Sequence, residues 1–264
     1  LKRFRDWRHW LSLAAIVLCL QGCATPDERV AAGRYVVVRA AQADIGELEM
    51  TSLAQRGDRV FERLSGFFGR SLPVPVYIEI DPNLAVSRSY ADRGAIGFPP
   101  RVVARNTVIM AHEMTHLFMP EKVSEALREG IAVYAQDRFG EVAGYPNYGE
   151  DLYAVMVRRL RRGVGSEVRT LSEAEAFFRR NRGREPEGRK IPLAAIDQDA
   201  RRNAYLLAGS FARYLFEVVL ESDMGAFKRI YTSGDYEQQT GRSAVEIEAA
   251  WRTRTGLNAL GGNP

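Results

Sequence analysis

Two histidines with a glutamate beside the first are the residues of this sequence best suited to chemistry. They stand in the run His-Glu-Met-Thr-His at 112–116. Side chains four residues apart lie on one face of a helix, so His112 and His116 can bind the same metal ion. Glu113 can then accept a proton from a water molecule at that ion. The spacing therefore predicts a metal-dependent hydrolytic site.

The number of histidines excludes catalytic sites that need a separate histidine as their base. The chain has three histidines, and the third, His9, lies in an N-terminal segment that we expect to be removed. A serine or cysteine nucleophile would need a further histidine as its base, and none is left. A catalytic zinc site has three protein ligands. Because the expected domain also has no cysteine, the third ligand must be Asp or Glu.

Glu129 is the favoured third ligand. It lies in the next predicted helix, which Ser124 is expected to cap, after a short turn. Two helices joined so closely can bring His116 and Glu129 to one ion. Glu125 and Asp137 lie on the same face of that helix and remain alternatives.

The two motifs together resemble the gluzincin metallopeptidases, in particular the peptidase MA-like group. The likeness rests on His-Glu-x-x-His at 112–116, followed by Glu-Gly-x-Ala-x-Tyr at 129–134. In that group the glutamate before the glycine is the third ligand, which implies one Zn²⁺ held by both histidines and Glu129. Glu113 would be the general base, and Gly130 would let the two motif helices pack closely.

The resemblance extends to residues around the metal. Thermolysin-like relatives carry an acidic residue four positions after the ligand glutamate, where this chain has Val133, so a partner for the histidines must come from elsewhere. Tyr205 is similar in place to a tyrosine that stabilises the oxyanion in related gluzincins. An ordinary half-buried position for Tyr205 stays open, and Tyr134 and Tyr214 are weaker candidates. The acidic motif that holds a free amino terminus in gluzincin aminopeptidases is missing near 94–97, which favours an endopeptidase.

The N-terminus resembles the signal peptide of a bacterial lipoprotein. Residues 1–22 are basic at their start and then apolar, over a run too short for the roughly 20 residues of a membrane span. A small residue precedes Cys23, as in the lipobox, which implies lipidation of Cys23 and a tether over 23–32. The protein would then lie on the periplasmic side of the cell envelope, and Ala24 favours the outer membrane over the inner. The alternative is an ordinary signal peptide, or a signal anchor, with an incidental cysteine.

The predicted helices and strands, which must position the site, indicate one α+β domain over 33–264. Hydrophobic patterns predict a small mixed or antiparallel sheet, then the metal-binding helix pair and a helical C-terminal part, in a zincin-like arrangement. The predicted strands are 34–38, 74–80, 95–98 and 102–104, with a loop at 84–93, and the main helices are 41–68, 107–119, 124–139 and 203–221. The strand at 102–104 is expected to pair with an extended peptide substrate.

A basic segment is predicted as an insertion at about 140–200. Within it, residues 158–190 hold 11 basic and 5 acidic residues. One interpretation is a solvated helix face, and the other is a basic wall beside the cleft that attracts acidic substrates or an anionic membrane surface. Residues 181–190 are expected to form a lid over the site.

Composition and charge narrow the remaining function classes. The chain has 264 residues, of which 46% are hydrophobic, enough for one sizeable core. Most of the formal charge of +4 lies in residues 1–22, and no nucleic-acid-binding motif is present, so nucleic acid is not an expected partner. We expect a zinc peptidase acting on peptides or proteins. The alternatives are a non-catalytic lipoprotein that binds peptide partners and hydrolysis of a non-peptide bond. The oligomeric state stays open.

Overall fold

A mixed five-stranded sheet forms the N-terminal part of the fold in the computed structural model, which describes residues 28–41, 45–120, 122–181 and 196–258. The sheet order is β1-β2-β3-β5-β4. The three inner strands are parallel, and each outer strand runs antiparallel to its neighbour. The strands are β1 (Glu28–Ala32), β2 (Val36–Ala41), β3 (Val76–Ile80), β4 (Arg88–Tyr90) and β5 (Ala95–Phe98).

One long helix, α1 (Glu47–Phe68), covers a face of this sheet. Apolar side chains recur along it at helical spacing, and Val60, Leu64 and Phe68 are buried in the core. Gly57 brings the helix close to β2, since a Cβ there would lie 2.7 Å from the side chain of Val36. The helix and the sheet thus build one half of the core.

The rest of the described chain is helical. Two helices, α2 (Pro100–Ala104) and α3 (Met110–Phe118), follow β5, and α4 (Glu125–Phe139) comes directly after α3. A long helix, α7 (Gln198–Tyr214), packs along α4 and continues as a π-helical turn over Leu215–Val219. The other helices are α5 (Leu152–Arg161), α6 (Leu171–Asn181), α8 (Met224–Ser233), α9 (Tyr236–Thr240) and α10 (Ala244–Arg254).

Two glycines allow α4 and α7 to approach closely. A Cβ on Gly130 would lie 2.4 Å from the carbonyl oxygen of Ala208, and a Cβ on Gly209 would lie 2.3 Å from the side chain of Val133. Gly130 therefore provides close packing as the sequence predicts, but against α7 rather than between the two motif helices. The contact brings the third-ligand helix against the helix that carries Tyr205.

The predicted fold class is confirmed, and two local predictions are wrong. The sheet is mixed, and the helix pair and the helical C-terminal part follow it in the predicted order. Residues 102–104 belong to α2 and not to a strand, because Pro100 stands at the start of a helix, where a missing N–H costs nothing. The loop predicted at 84–93 contains β4, a strand too short for the sequence pattern to indicate.

The N-terminal boundary also differs from the prediction. Residues 28–32 of the predicted tether form β1, which pairs along its whole length with β2. Arg29 on this strand donates a hydrogen bond to the carbonyl oxygen of Ile45 at 2.7 Å. The predicted signal peptide and Cys23 lie outside the described residues, as do residues 182–195, which include most of the predicted lid. Within the described segments, no helix combines the length and the apolar character that a membrane span requires.

Candidate metal centre and catalytic cleft

His112, His116 and Glu129 come together in one buried cluster. The α3 helix places the two imidazole rings 5.0 Å apart at an angle of 89°. The Oε2 atom of Glu129 lies 3.3 Å from Nε2 of His112 and 3.6 Å from Nε2 of His116. The candidate ligand atoms all lie within 4.8 Å of one another, and each residue is less than a tenth exposed. Two imidazole nitrogens and a carboxylate oxygen at this separation can hold one metal ion.

The two alternative carboxylates of α4 make other contacts. Glu125 accepts a hydrogen bond from Nζ of Lys122 at 2.8 Å, and Asp137 accepts one from Nδ2 of Asn147 at 2.6 Å. Neither belongs to the cluster of ligand atoms found among the described residues. The geometry thus brings Glu129 to the histidines and leaves its alternatives elsewhere.

Burial and charge give His116 and Glu129 the protonation states that metal binding needs. Burial lowers the pKa of His116 to about 4 against the opposing attraction of Glu129, so this imidazole is neutral at pH 7. Burial alone would raise the pKa of Glu129, but its contacts with both histidines and Arg128 hold it well below its usual range. A neutral imidazole and an ionised carboxylate are the forms in which these residues ligate a metal.

Two side chains of α4 support the cluster. The Arg128 guanidinium donates to Oε1 of Glu129, which leaves Oε2 directed at the histidines. Gln136 accepts a hydrogen bond from the backbone N–H of His112 at 3.2 Å. The α3 helix has no side-chain cap of its own, so Gln136 satisfies one of the N–H groups left unpaired at its start.

The Nδ1 atoms of the two histidines are buried and have no hydrogen-bond partner within the part of the chain that the structure describes. Val133, at the position where relatives carry an acid, packs against Gly209 of α7 and does not replace that acid. Both imidazoles therefore direct Nε2 towards the carboxylate of Glu129. On the Nδ1 side, packing rather than a hydrogen bond holds each ring.

Glu113 lies beside the cluster with the properties of a general base. Its side chain is buried and lines the cleft that leads to the site. Burial raises its pKa to about 7, Glu129 adds to the increase, and His112 opposes it. A carboxylate with a pKa near the working pH can both accept and return a proton.

An open cleft of about 450 Å³ reaches the site at His112 and Glu113. Its wall contains three arginines and three tyrosines, and Glu113 is the only acidic residue among the described residues that line it. These arginines and tyrosines come from α2, α7 and the turn between α4 and α5. They are Arg101, Arg105, Tyr145, Tyr148, Arg201 and Tyr205.

Tyr205 lies next to the first histidine, where the sequence places it. Its ring centroid is 5.9 Å from that of His112 and 5.3 Å from that of Tyr145. Burial raises the pKa of Tyr205, so the hydroxyl keeps its proton and can donate it. Tyr134, a weaker candidate, instead donates a hydrogen bond to Glu217 at 2.9 Å.

Sequence reasoning missed the three arginines of the cleft wall and two of its tyrosines, among them Arg201 and Tyr145 beside Tyr205. Arg201 lies one helical turn before Tyr205, and its guanidinium carbon is 5.7 Å from the Tyr205 ring centre and 5.5 Å from that of Tyr145. The four-residue spacing of Arg201 and Tyr205 on one helix face was the available signal. Tyr145 lies in a turn, where no periodic pattern could indicate it.

None of the arginines that the structure describes in the predicted basic segment, at 158–181, is among the residues that line this cleft. Arg159 is a structural residue that donates to Asn203 at 2.9 Å and to Asp199 at 2.7 Å, both on α7. Three further arginines, at the end of α5, line a separate pocket of about 680 Å³, which shares no lining residue with the cleft. They are Arg158, Arg161 and Arg162, and Arg254 joins them there.

Similarity to known proteins is found among solved structures. No protein-family model matches the chain, and no curated protein is similar to it. Among solved structures, the chain is similar to a two-domain M1 zinc metallopeptidase bound to L-arginine, with 19% sequence identity and a TM-score of 0.44. The match covers 88% of this chain and 49% of that one, so the chain spans about half the length of that structure.

Proposed function

We propose that this protein is a zinc-dependent peptidase whose metal ligands are His112, His116 and Glu129. The observation that carries the proposal is the convergence of these three ligand atoms next to Glu113, with His112 and Glu113 lining one cleft. Two imidazoles and one carboxylate are a ligand set of catalytic zinc sites, which keep a further position open for water or substrate.

The residues around the metal position can each be assigned a role in peptide hydrolysis. Zn²⁺ bound there would make a water molecule more acidic and polarise a substrate carbonyl. Glu113 accepts the proton from that water on its carboxylate and returns it to the nitrogen of the leaving amine. The Tyr205 hydroxyl donates a hydrogen bond to the carbonyl oxygen as negative charge develops on it.

Strand β4 is the element best placed to bind an extended peptide, in place of the segment at 102–104. It forms an edge of the sheet, and Ser87, directly before it, lines the cleft. A peptide can add to such an edge through backbone hydrogen bonds. An endopeptidase is favoured over an aminopeptidase, since Glu113 is the only carboxylate in the described lining, is committed to proton transfer, and leaves no carboxylate there to bind a free amino terminus.

The location of the protein is a separate part of the proposal and rests on the sequence. A lipid on Cys23 would hold the peptidase at the periplasmic face of the cell envelope, with the outer membrane favoured. Labelling cells with a fatty-acid analogue tests this. The wild-type protein should carry the label and a C23S variant should not. A labelled C23S variant would rule out this anchor.

Metal content and peptide cleavage test the catalytic proposal together. We expect about one zinc per chain by mass spectrometry of the metal, as in single-ion catalytic sites. H116A should lose the metal, whereas E113Q should keep it and lose cleavage of a peptide library. A folded wild-type protein that binds no zinc would overturn the proposal. So would an E113Q variant that cleaves as fast as wild type. If E113Q supports full function in cells, binding rather than catalysis is the role.

A further inference from the structure

We propose that the cleft selects substrates with a carboxylate close to the scissile bond, and that Arg201 and Arg105 bind it. The inference rests on the proposed peptidase function, because the same cleft would hold the peptide. It adds a substrate class, peptides that present an acidic side chain or their own free C-terminus at this position.

The charge of the cleft wall is the first observation. Three arginines and one carboxylate line it in the part of the chain that the structure describes. The carboxylate is Glu113, which is next to the metal ligands and is used for proton transfer. The wall beyond the metal position therefore carries uncompensated positive charge, which attracts anions into the cleft.

Arg201 is the arginine of α7 whose charge is left available. Its neighbour Arg202 donates to the carbonyl oxygen of Pro146 at 2.8 Å, and Arg213 forms ion pairs with Asp151 and Glu217. Arg201 forms no ion pair with any carboxylate of the described residues. The neighbouring rings of Tyr145 and Tyr205 both lie close to its guanidinium, which lines the cleft. A guanidinium placed in this way offers paired N–H donors that match the two oxygens of a carboxylate.

Arg105 supplies a second cation from a different element. It directly follows α2, is exposed, and has no carboxylate partner within the described ranges. Arg101, one turn earlier, donates to the carbonyl oxygen of Ala85 and so supports the loop before β4. Arg105 and Arg201 thus lie on different elements and line the same cleft. Neither forms an ion pair with a carboxylate of the described residues.

Matched peptide substrates test the selection. One pair of peptides differs only by Glu or Gln beside the scissile bond, and a second pair differs only by a free or amidated C-terminus. We expect kcat/KM to be about tenfold or more higher for the carboxylate form of at least one pair, as for a hydrogen bond to a charged group. The pair that shows the preference identifies the source of the carboxylate.

Variants assign the preference to the two arginines. R201Q and R105Q should each reduce the ratio of kcat/KM within the preferred pair, and R201K should recover only part of it because lysine lacks the fork of donors. R254Q, in the separate pocket, is the matched control and should leave the ratio unchanged. Zinc content and circular dichroism verify that each variant is folded.

A binding measurement keeps this inference separable from the proposed activity. Fluorescence anisotropy with the E113Q protein and the same peptides gives Kd without cleavage, and the carboxylate forms should bind more tightly through Arg201. Cleavage without any carboxylate preference would overturn the inference and leave the peptidase proposal standing. If the carboxylate forms bind in a way that depends on Arg201 but wild type cleaves no peptide, the peptidase proposal is overturned and carboxylate binding in the cleft stands. Neither cleavage nor preferential binding would overturn both.

Discussion

The side-chain oxygen of Gln136 accepts the backbone N–H of His112 at 3.2 Å, across the contact between α4 and α3. Gln136 lies two helical turns after Glu129, so α4 carries both the third ligand and a hydrogen bond that fixes the helix of the other two. The Gln136 amide also donates to the carbonyl oxygen of Val142 at 3.2 Å, which holds its orientation.

Removing this hydrogen bond should weaken the metal site. Q136L leaves a buried N–H unpaired at the start of α3, so we expect a loss of about 1–3 kcal/mol in the free energy of unfolding. Zinc affinity should fall roughly tenfold, as for other outer-shell contacts. Competition with a chelator and urea unfolding measure the two effects. Q238L, at an exposed position of α9, is the control, and equal zinc affinity in both variants would contradict the prediction.

Adding a methyl group at Gly130 should separate α4 from α7. The new Cβ would lie 2.4 Å from the carbonyl oxygen of Ala208, and backbone cannot move aside cheaply. We expect G130A to lower the free energy of unfolding by about 1–3 kcal/mol or more. G66A, near the end of α1 with nothing near its Cβ, should instead increase stability by up to about 1 kcal/mol. Urea unfolding compares them, and a neutral G130A would refute the close contact.

Glu175 should make stability depend on acid pH. It lies on α6 and accepts hydrogen bonds from the Ser124 hydroxyl and the Ala126 N–H at the start of α4, both at 2.7 Å. Burial alone would raise its pKa, but these bonds and Arg179 bring it below its usual value. A lowered pKa in the folded state adds stability above the unfolded value of about 4.3, and this stability is lost as pH falls through the folded value.

The E175Q variant tests this linkage. At pH 7 it should be less stable than wild type by about 1–2 kcal/mol, and the difference should shrink as the pH is lowered below about 4. Unfolding in urea at several pH values measures it. The control variant E167Q changes an exposed glutamate before α6, and its stability should depend on pH as that of wild type does. A difference between E175Q and wild type that is constant with pH would exclude the carboxylate as its cause.

The Tyr205 hydroxyl should contribute to kcat and not to metal binding. Y205F removes a donor aimed at the developing oxyanion, so we expect kcat to fall by about 10²–10³ while zinc content is unchanged. Y134F is the matched control, because the Tyr134 hydroxyl is bonded to Glu217. Steady-state kinetics with a cleaved peptide measures both. If Y205F raised only KM, Tyr205 would bind the substrate instead.

The two candidate histidine ligands and the start of α4 were predictable because their signals are local. The i, i+4 spacing places both histidines on one helix face, and Ser124 accepts the Leu127 N–H at 3.1 Å as a predicted cap should. Glu129 needed the resemblance, since spacing alone left Glu125 and Asp137 open. Glu125, Glu129 and Asp137 can be told apart as ligands only in the folded chain, where each has different buried neighbours.

The cleft was beyond prediction because distant segments build it. Arg201 and Tyr145 are 56 positions apart in the sequence and meet through the packing of α7 against the turn after α4. The short apolar run at 102–104 fits a strand or a helix by pattern, and Pro100 decides for the helix. Strand β4 has three residues and depends on pairing with β5, which no local pattern encodes.

The contact of Gly130 with the Ala208 backbone also fixes the axial register of α4 and α7. Glu129 stands one residue before this contact on α4, and Tyr205 and Arg201 stand a few residues before it on α7. Inserting one residue between Tyr205 and Ala208 would turn both cleft side chains by about 100° around the helix, away from the metal position. A substitution at 201 or 205 would therefore alter one side chain of the cleft, whereas a change in length within this part of α7 would dismantle the site.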